Sequence, residues 1–186
     1  MSHLTKSDIA ATQAAAAPST GSGASGEQLA PRRALLVVLR FRPSWAYIDG
    51  IREFGRTFCA TSLDDPEAAE RARVILQELL EIAVRGSTAS RGKELELELT
   101  LRDGRPEVAV TRQADPEQRV LLEGAVAWVN ASAPEAIYLG ALRAPAGGPA
   151  SRTRLGLARV RLEGRAELAL EALDDGRLRL RARGQP

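Results

Sequence analysis

The 186-residue sequence predicts an α+β two-layer sandwich, a mostly antiparallel five-stranded sheet with helices massed on one face. Three observations carry that expectation. Two pairs of alternating segments are joined by turns of two and three residues, and one long capped segment repeats its apolar residues at helical spacing. The periodicities then follow one another as strand, helix, helix, hairpin, helix, helix, loop, short helix, hairpin, which groups helices on one side of a single sheet.

Residues 34–41, Ala-Leu-Leu-Val-Val-Leu-Arg-Phe, form a short apolar run that reads as the first strand, stopped by Pro43. From Pro43 the period becomes helical. Trp45, Ile48, Ile51, Phe54 and Phe58 recur on what is expected to be one buried face, ending before Asp64. The next segment has the clearest pattern in the chain. Asp65 can cap a helix whose first turn holds Pro66 and Glu67, and Ala68, Ala72, Ile75, Leu76, Leu79, Ile82 and Ala83 make its apolar stripe. Gly86 is expected to close that helix in a left-handed conformation.

Strict alternation follows in Lys93–Leu101, with Leu95, Leu97, Leu99 and Leu101 on one side and Glu94, Glu96 and Glu98 on the other. Asp103-Gly104 is a two-residue hairpin turn, which sets Val108 opposite Leu99 and Val110 opposite Leu97. Asp115, with Gln118 three residues on, starts a helix in the capping-box manner, its expected apolar side being Val120, Leu121, Ala125, Trp128 and Val129. A second helix starts at Pro134, and 144–152, containing Pro145, Gly147, Gly148 and Pro149, is expected to be a loop. The last hairpin joins Ala166–Leu173 to Arg177–Arg183 through Asp174-Asp175-Gly176. Its register pairs Leu170 with Leu180 and Ala172 with Leu178, and sets Glu171 across from Arg179 and Glu167 across from Arg183 on a solvated face.

Composition narrows the function classes. Residues 1–33 hold an alanine run and a Ser/Thr/Gly-rich stretch, so they are expected to form a disordered low-complexity tail that tethers or docks, with 34–186 as a single domain. With 26 basic against 24 acidic residues, the surface should be laced with salt bridges rather than shaped for nucleic acid. No run is apolar enough for a signal peptide or membrane span, which points to a cytoplasmic protein without a membrane partner. Cys59 is the only cysteine and His3 the only histidine, so a thiolate metal site and a Cys–His or Ser–His–Asp apparatus are not expected. Cys59 beside Phe58 reads as a small buried hydrophobe.

Residues Glu78-Leu79-Leu80-Glu81-Ile82-Ala83 resemble the helix of the GHKL superfamily, the histidine-kinase-like ATPases, in which an Asn helps to hold Mg²⁺ against the phosphates. Ile82 stands where that Asn would be and offers a hard cation no oxygen. Arg154-Leu155-Gly156-Leu157 resembles the family's Gly-x-Gly-Leu segment, whose backbone amides at a helix start approach the phosphates. Arg154 replaces the first glycine, where its side chain would crowd that approach, and Gly156 and Leu157 match. The family's Asp-x-Gly-x-Gly segment would fall at 111–115, Thr-Arg-Gln-Ala-Asp, which contains no glycine, and the acid that the family pairs with adenine is absent from the motif too. The element order is most similar to the anti-sigma serine kinase and SiaB-like group. In some relatives an acid at the place of Glu78 is the general base, so Glu78 is the single surviving candidate for that role.

The resemblance implies a family that binds ATP and phosphorylates or sequesters a protein partner. With Ile82, Arg154 and the 111–115 segment each removing part of the nucleotide site, the expectation is a degenerate, pseudokinase-like domain without catalytic residues, metal or cofactor. It would regulate or scaffold a signalling or partner-switching component through protein contacts. The alternatives are a divergent serine kinase or anti-sigma factor binding ATP and Mg²⁺, and a self-assembling structural protein whose hairpin 166–183 lies at a sheet margin, giving a homo-oligomer.

Overall fold

A computed structural model describes residues 35–87, 93–145 and 147–185; the expected tail at 1–33 lies outside the described residues. The elements follow the order β1 (Leu35–Phe41), a 3₁₀ turn (Trp45–Tyr47), α1 (Ile48–Leu63), α2 (Pro66–Gly86), β2 (Leu95–Arg102), β3 (Arg105–Gln113), α3 (Pro116–Asn130), α4 (Pro134–Arg143), α5 (Gly148–Leu162), β4 (Ala166–Ala172) and β5 (Arg177–Gly184). The five strands form one antiparallel sheet in the order β1-β2-β3-β5-β4, which is the expected α+β sandwich. The hairpin at 166–183 is only half marginal. β4 is an edge, but β5 lies inside the sheet against β3 because it carries the second row of inward leucines.

Both hairpin registers follow from their turns. Asp103 and Gly104 have φ of 53° and 75°, the paired left-handed conformations of a type I′ turn, and Val108 sits opposite Leu99 and Val110 opposite Leu97. In the second hairpin Gly176 has φ 78°, and Leu170 faces Leu180 while Ala172 faces Leu178. The core therefore lies between the inward leucines and valines of β2, β3 and β5 and the stripe of α2, where Ile75, Leu76, Leu79 and Leu80 are fully buried. The outer face is held by ion pairs: Arg40–Glu96 at 2.7 Å, Arg179–Glu98 at 2.5 Å and Arg181–Glu171 at 2.6 Å. Glu171 lies directly across from Arg179 as expected, yet bonds diagonally to Arg181, because a long guanidinium side chain reaches past its facing residue.

Helix starts behave as the sequence indicates. Asp65 accepts from the amides of Glu67 and Ala68 at 2.9 and 3.0 Å, and Asp115 accepts from that of Gln118 at 2.8 Å. Helix faces differ in three places. In α1 the buried residues are Ile48, Gly55 and Cys59, whereas Phe54 is exposed and stacks on a half-buried Phe58. Trp45 precedes the helix in the 3₁₀ turn and stays exposed with the Arg85 guanidinium over its ring. The reason is helix approach: any side chain at Gly55 would overlap Leu76 of α2, so the smallest residue, not the aromatic set, decides which face turns inward. In α3 the buried set is Leu122, Ala125, Val126 and Val129, leaving Val120 exposed. The segment 144–152 is loop only to Gly147, because Pro149 starts α5 rather than prolonging the loop.

Candidate functional site

The helix α2 presents Glu78 and Ile82 one turn apart on the side that meets α5, and Gly156 of α5 is the point of contact. A methyl group at Gly156 would lie 2.8 Å from Oε2 of Glu78 and 3.5 Å from Cδ1 of Ile82. Glycine is required there so that two helices can touch. Gly156 sits in the middle of α5, a 15-residue helix, and not at a helix start. Its amide belongs to the helical ladder, which corrects the expectation that it opens a phosphate-binding turn.

Glu78 is 7% exposed and is clamped by Arg159, whose Nη1 donates to Oε1. Arg159 also grips Glu163 through Nε and Nη2 at 2.9 and 3.0 Å. Burial pushes the Glu78 carboxyl up to about 7, with Arg159 opposing the rise and Glu81 and Glu163 adding to it. The hydrogen bond to Glu163, followed by its other carboxylate neighbours, raises the pKa of Arg159. Arg154 points elsewhere. Its guanidinium lies over the Trp128 ring at 5.4 Å.

The structure thus joins Glu78, Ile82 and Gly156 and sets Arg154 apart. Ile82 also lines an open cavity of about 380 Å³ between the C-terminal end of α2 and the N-terminal turns of α3 and α5. Glu78 does not line it. The cavity is lined by Ile82, Leu121, Leu122 and Pro149, together with Gly86, Arg85, Arg112, Thr153 and, from α3, Glu117 and Gln118.

Arg112 is the buried charge that the sequence reading missed. It lies on β3 in register with inward-facing Leu178, two positions after Val110, and is 5% exposed. Strand alternation alone places it inward, and that signal was available. Its Nη1 donates to the carbonyls of Gly86 and Gln113 at 3.0 and 3.1 Å and to Oε1 of Gln118 at 2.6 Å. Gln118 therefore does not complete the expected capping box, since its side chain is taken by Arg112. Gly86 is helical with Ser87 as the cap, and is not the left-handed closure expected of it. Its role is space: a methyl there would stand 2.6 Å from Cζ of Arg112. Burial lowers the pKa of Arg112, and Asp115 partly restores it. No carboxylate among the described residues forms an ion pair with it.

Cys59 is fully buried and burial pushes its thiol up to about 12, which suits a core residue and not a nucleophile. No helix among the described residues is long and apolar enough to cross a membrane.

Among solved structures the chain is similar to a chain in the crystal structure of the SiaB–SiaC complex from Pseudomonas aeruginosa. The TM-score is 0.61 at 17% identity, over 79% of this chain and 88% of that one. The likeness is one of fold. No protein-family model matches the sequence, and no curated protein sequence does.

Proposed function

We propose that the chain is a non-catalytic regulatory or scaffold protein of bacterial signalling, acting through protein contacts on a GHKL-like fold whose nucleotide chemistry has been lost. The observation that carries this reading is the make-up of the cavity between α2, α3 and α5. A magnesium nucleotide requires hard oxygen donors for the metal and, in the family the sequence resembles, an acid for the adenine amino group. Ile82 brings aliphatic carbon to the cavity, and the segment where that acid would lie brings the Arg112 guanidinium instead. Of the oxygens that do line the cavity, Gln118 Oε1 is taken by Arg112 and the Thr153 hydroxyl donates to the Pro149 carbonyl, which leaves the Glu117 carboxylate and does not reproduce the Mg²⁺ and ATP site of that family. Glu78, the candidate general base, is held by Arg159 and lies outside the cavity, so it has no substrate to deprotonate. The fold neighbour is itself a chain of a protein complex, which supports a partner of the signalling or partner-switching kind.

Titration of the full chain with ATP and Mg²⁺ tests the proposal by thermal denaturation. A ligand at about 100 times its Kd stabilises by about 2.7 kcal/mol, or roughly 5–10 °C for a chain of this length. The expected result is no shift at millimolar nucleotide. A saturable shift of that size overturns the proposal in favour of a divergent ATP-binding serine kinase or anti-sigma factor, a reading that the ligand-sized opening of the cavity favours. Among the described residues β1 and β4 are the outermost strands of the sheet, which favours self-assembly as a further reading, and light scattering across a concentration series tests it: a concentration-independent monomer removes it.

A further inference from the structure

We propose that the cavity between α2, α3 and α5 binds a small organic monocarboxylate, received side-on by Nε and Nη2 of Arg112 while Ile82, Leu121, Leu122 and Pro149 enclose its apolar body. The inference rests on the reading that this cavity no longer serves a nucleotide.

The argument starts from the donors of Arg112. All three of its protein hydrogen bonds leave from Nη1, so among the described residues Nε and Nη2 donate to no protein acceptor. Neither of these atoms is sealed within the protein, unlike the Nε atoms of Arg52, Arg179 and Arg181. Nε and Nη2 form one edge of the guanidinium fork, whose spacing matches the two oxygens of a carboxylate. The fork is also pre-set. Gln118, Gly86 and Gln113 fix the opposite corner of the same plane, so binding need not order a flexible side chain.

Charge counting selects the ligand. A cation buried to this degree normally has an anion paired with it; here Asp115 acts on Arg112 only through space, and no carboxylate of the described chain forms an ion pair with it. One ligand charge balances it. A phosphate dianion or a triphosphate would leave negative charge uncompensated in a site whose α3 side also carries Glu117. Arg85, at the rim, is already paired with Glu81 at 3.4 Å. A neutral ligand would accept only the weaker, singly charge-assisted bonds from the fork and leave the charge of Arg112 unbalanced. The volume of about 380 Å³ falls at the small end of the roughly 300–1,000 Å³ range of ligand cavities, and its apolar walls favour a hydrocarbon or aromatic body.

The experiment is titration calorimetry and thermal denaturation of the full chain with sodium octanoate, sodium benzoate, octanamide, inorganic phosphate and Mg²⁺ with ATP. Saturable binding and a raised melting temperature are expected for at least one of the two acids and for none of the other probes. Arg112→Met should weaken that binding by about tenfold or more, the loss of a charge-assisted bidentate contact. Leu121→Trp should do the same by filling the cavity with Arg112 intact, and it carries the test if Arg112→Met fails to fold. Absence of binding by both acids overturns the proposal, as does equal binding of octanamide or unchanged affinity in the folded variants. If Mg²⁺ with ATP is also inert, that failure is confined to this inference; binding of the nucleotide overturns the earlier reading instead.

Discussion

Replacement of Glu78 by Gln gives a direct reading of the energy stored at the contact between α2 and α5. The Glu78 carboxyl has a folded value of about 7 against the ordinary glutamate value of 4.5. Below 4.5 it is protonated in both states. Between 4.5 and 7 the folded chain holds a proton that the unfolded chain has released, so stability is highest at low pH and falls as pH rises toward 7. Above 7 the group is ionised in both states and the loss is complete. At about 1.4 kcal/mol for each tenfold change in proton affinity, the contribution lost between pH 5 and pH 8 is about 2.5 kcal/mol. Gln keeps a carbonyl oxygen for Arg159 and cannot titrate. Urea denaturation of the wild type and Glu78→Gln at pH 5, 6, 7 and 8 isolates the effect, because all other groups cancel in the difference. Relative to the wild type, the variant should gain about 2.5 kcal/mol across that range, midway near pH 6 and almost complete by pH 7. A difference that stays constant within about 0.5 kcal/mol would show that burial does not govern this carboxyl, and the account of the helix contact would fail.

Gly86→Ala should destabilise by about 1–3 kcal/mol despite the better helix propensity of alanine, since the methyl overlaps Arg112; denaturant titration measures it, and a stabilised variant would refute the close approach. Asp65→Ala should cost about 1 kcal/mol by removing the acceptor for two amides of α2, with Asp65→Asn recovering most of it. Cys59 should resist a thiol reagent at pH 8 in the folded chain and react at once in denaturant, because burial both hides it and suppresses its thiolate; rapid labelling under native conditions would contradict its place on the buried face of α1.

Much of the architecture was legible from local rules. The Asp103-Gly104 and Asp174-Asp175-Gly176 turns fix registers without help from the rest of the chain, because a two-residue side-chain period leaves one alignment that buries the leucines. The Asp65 and Asp115 caps act within three residues, and the order of elements follows from where the period changes. Helix orientation was less legible. The aromatic spacing of Trp45 to Phe58 is helical, yet packing at Gly55 leaves Phe54 outward and Phe58 half-buried, while Trp45 stands exposed in the 3₁₀ turn. Likewise, Pro145, Gly147, Gly148 and Pro149 resemble a loop until Pro149 is seen as the first turn of α5.

The sequence by itself determined the sandwich, its hairpin registers and the aliphatic identity of position 82, since these depend on neighbours a few residues away. Only the tertiary structure decided what the glycines and charges do. Gly86 makes room for Arg112, Gly156 makes room for Glu78, and Arg154 leaves the site to lie on Trp128. Arg112 and Gly86 are 26 positions apart, and Arg159 and Glu78 are 81 apart. Steric fit and desolvation at such pairs arise when separate elements meet, and local periodicity carries no record of which elements those are.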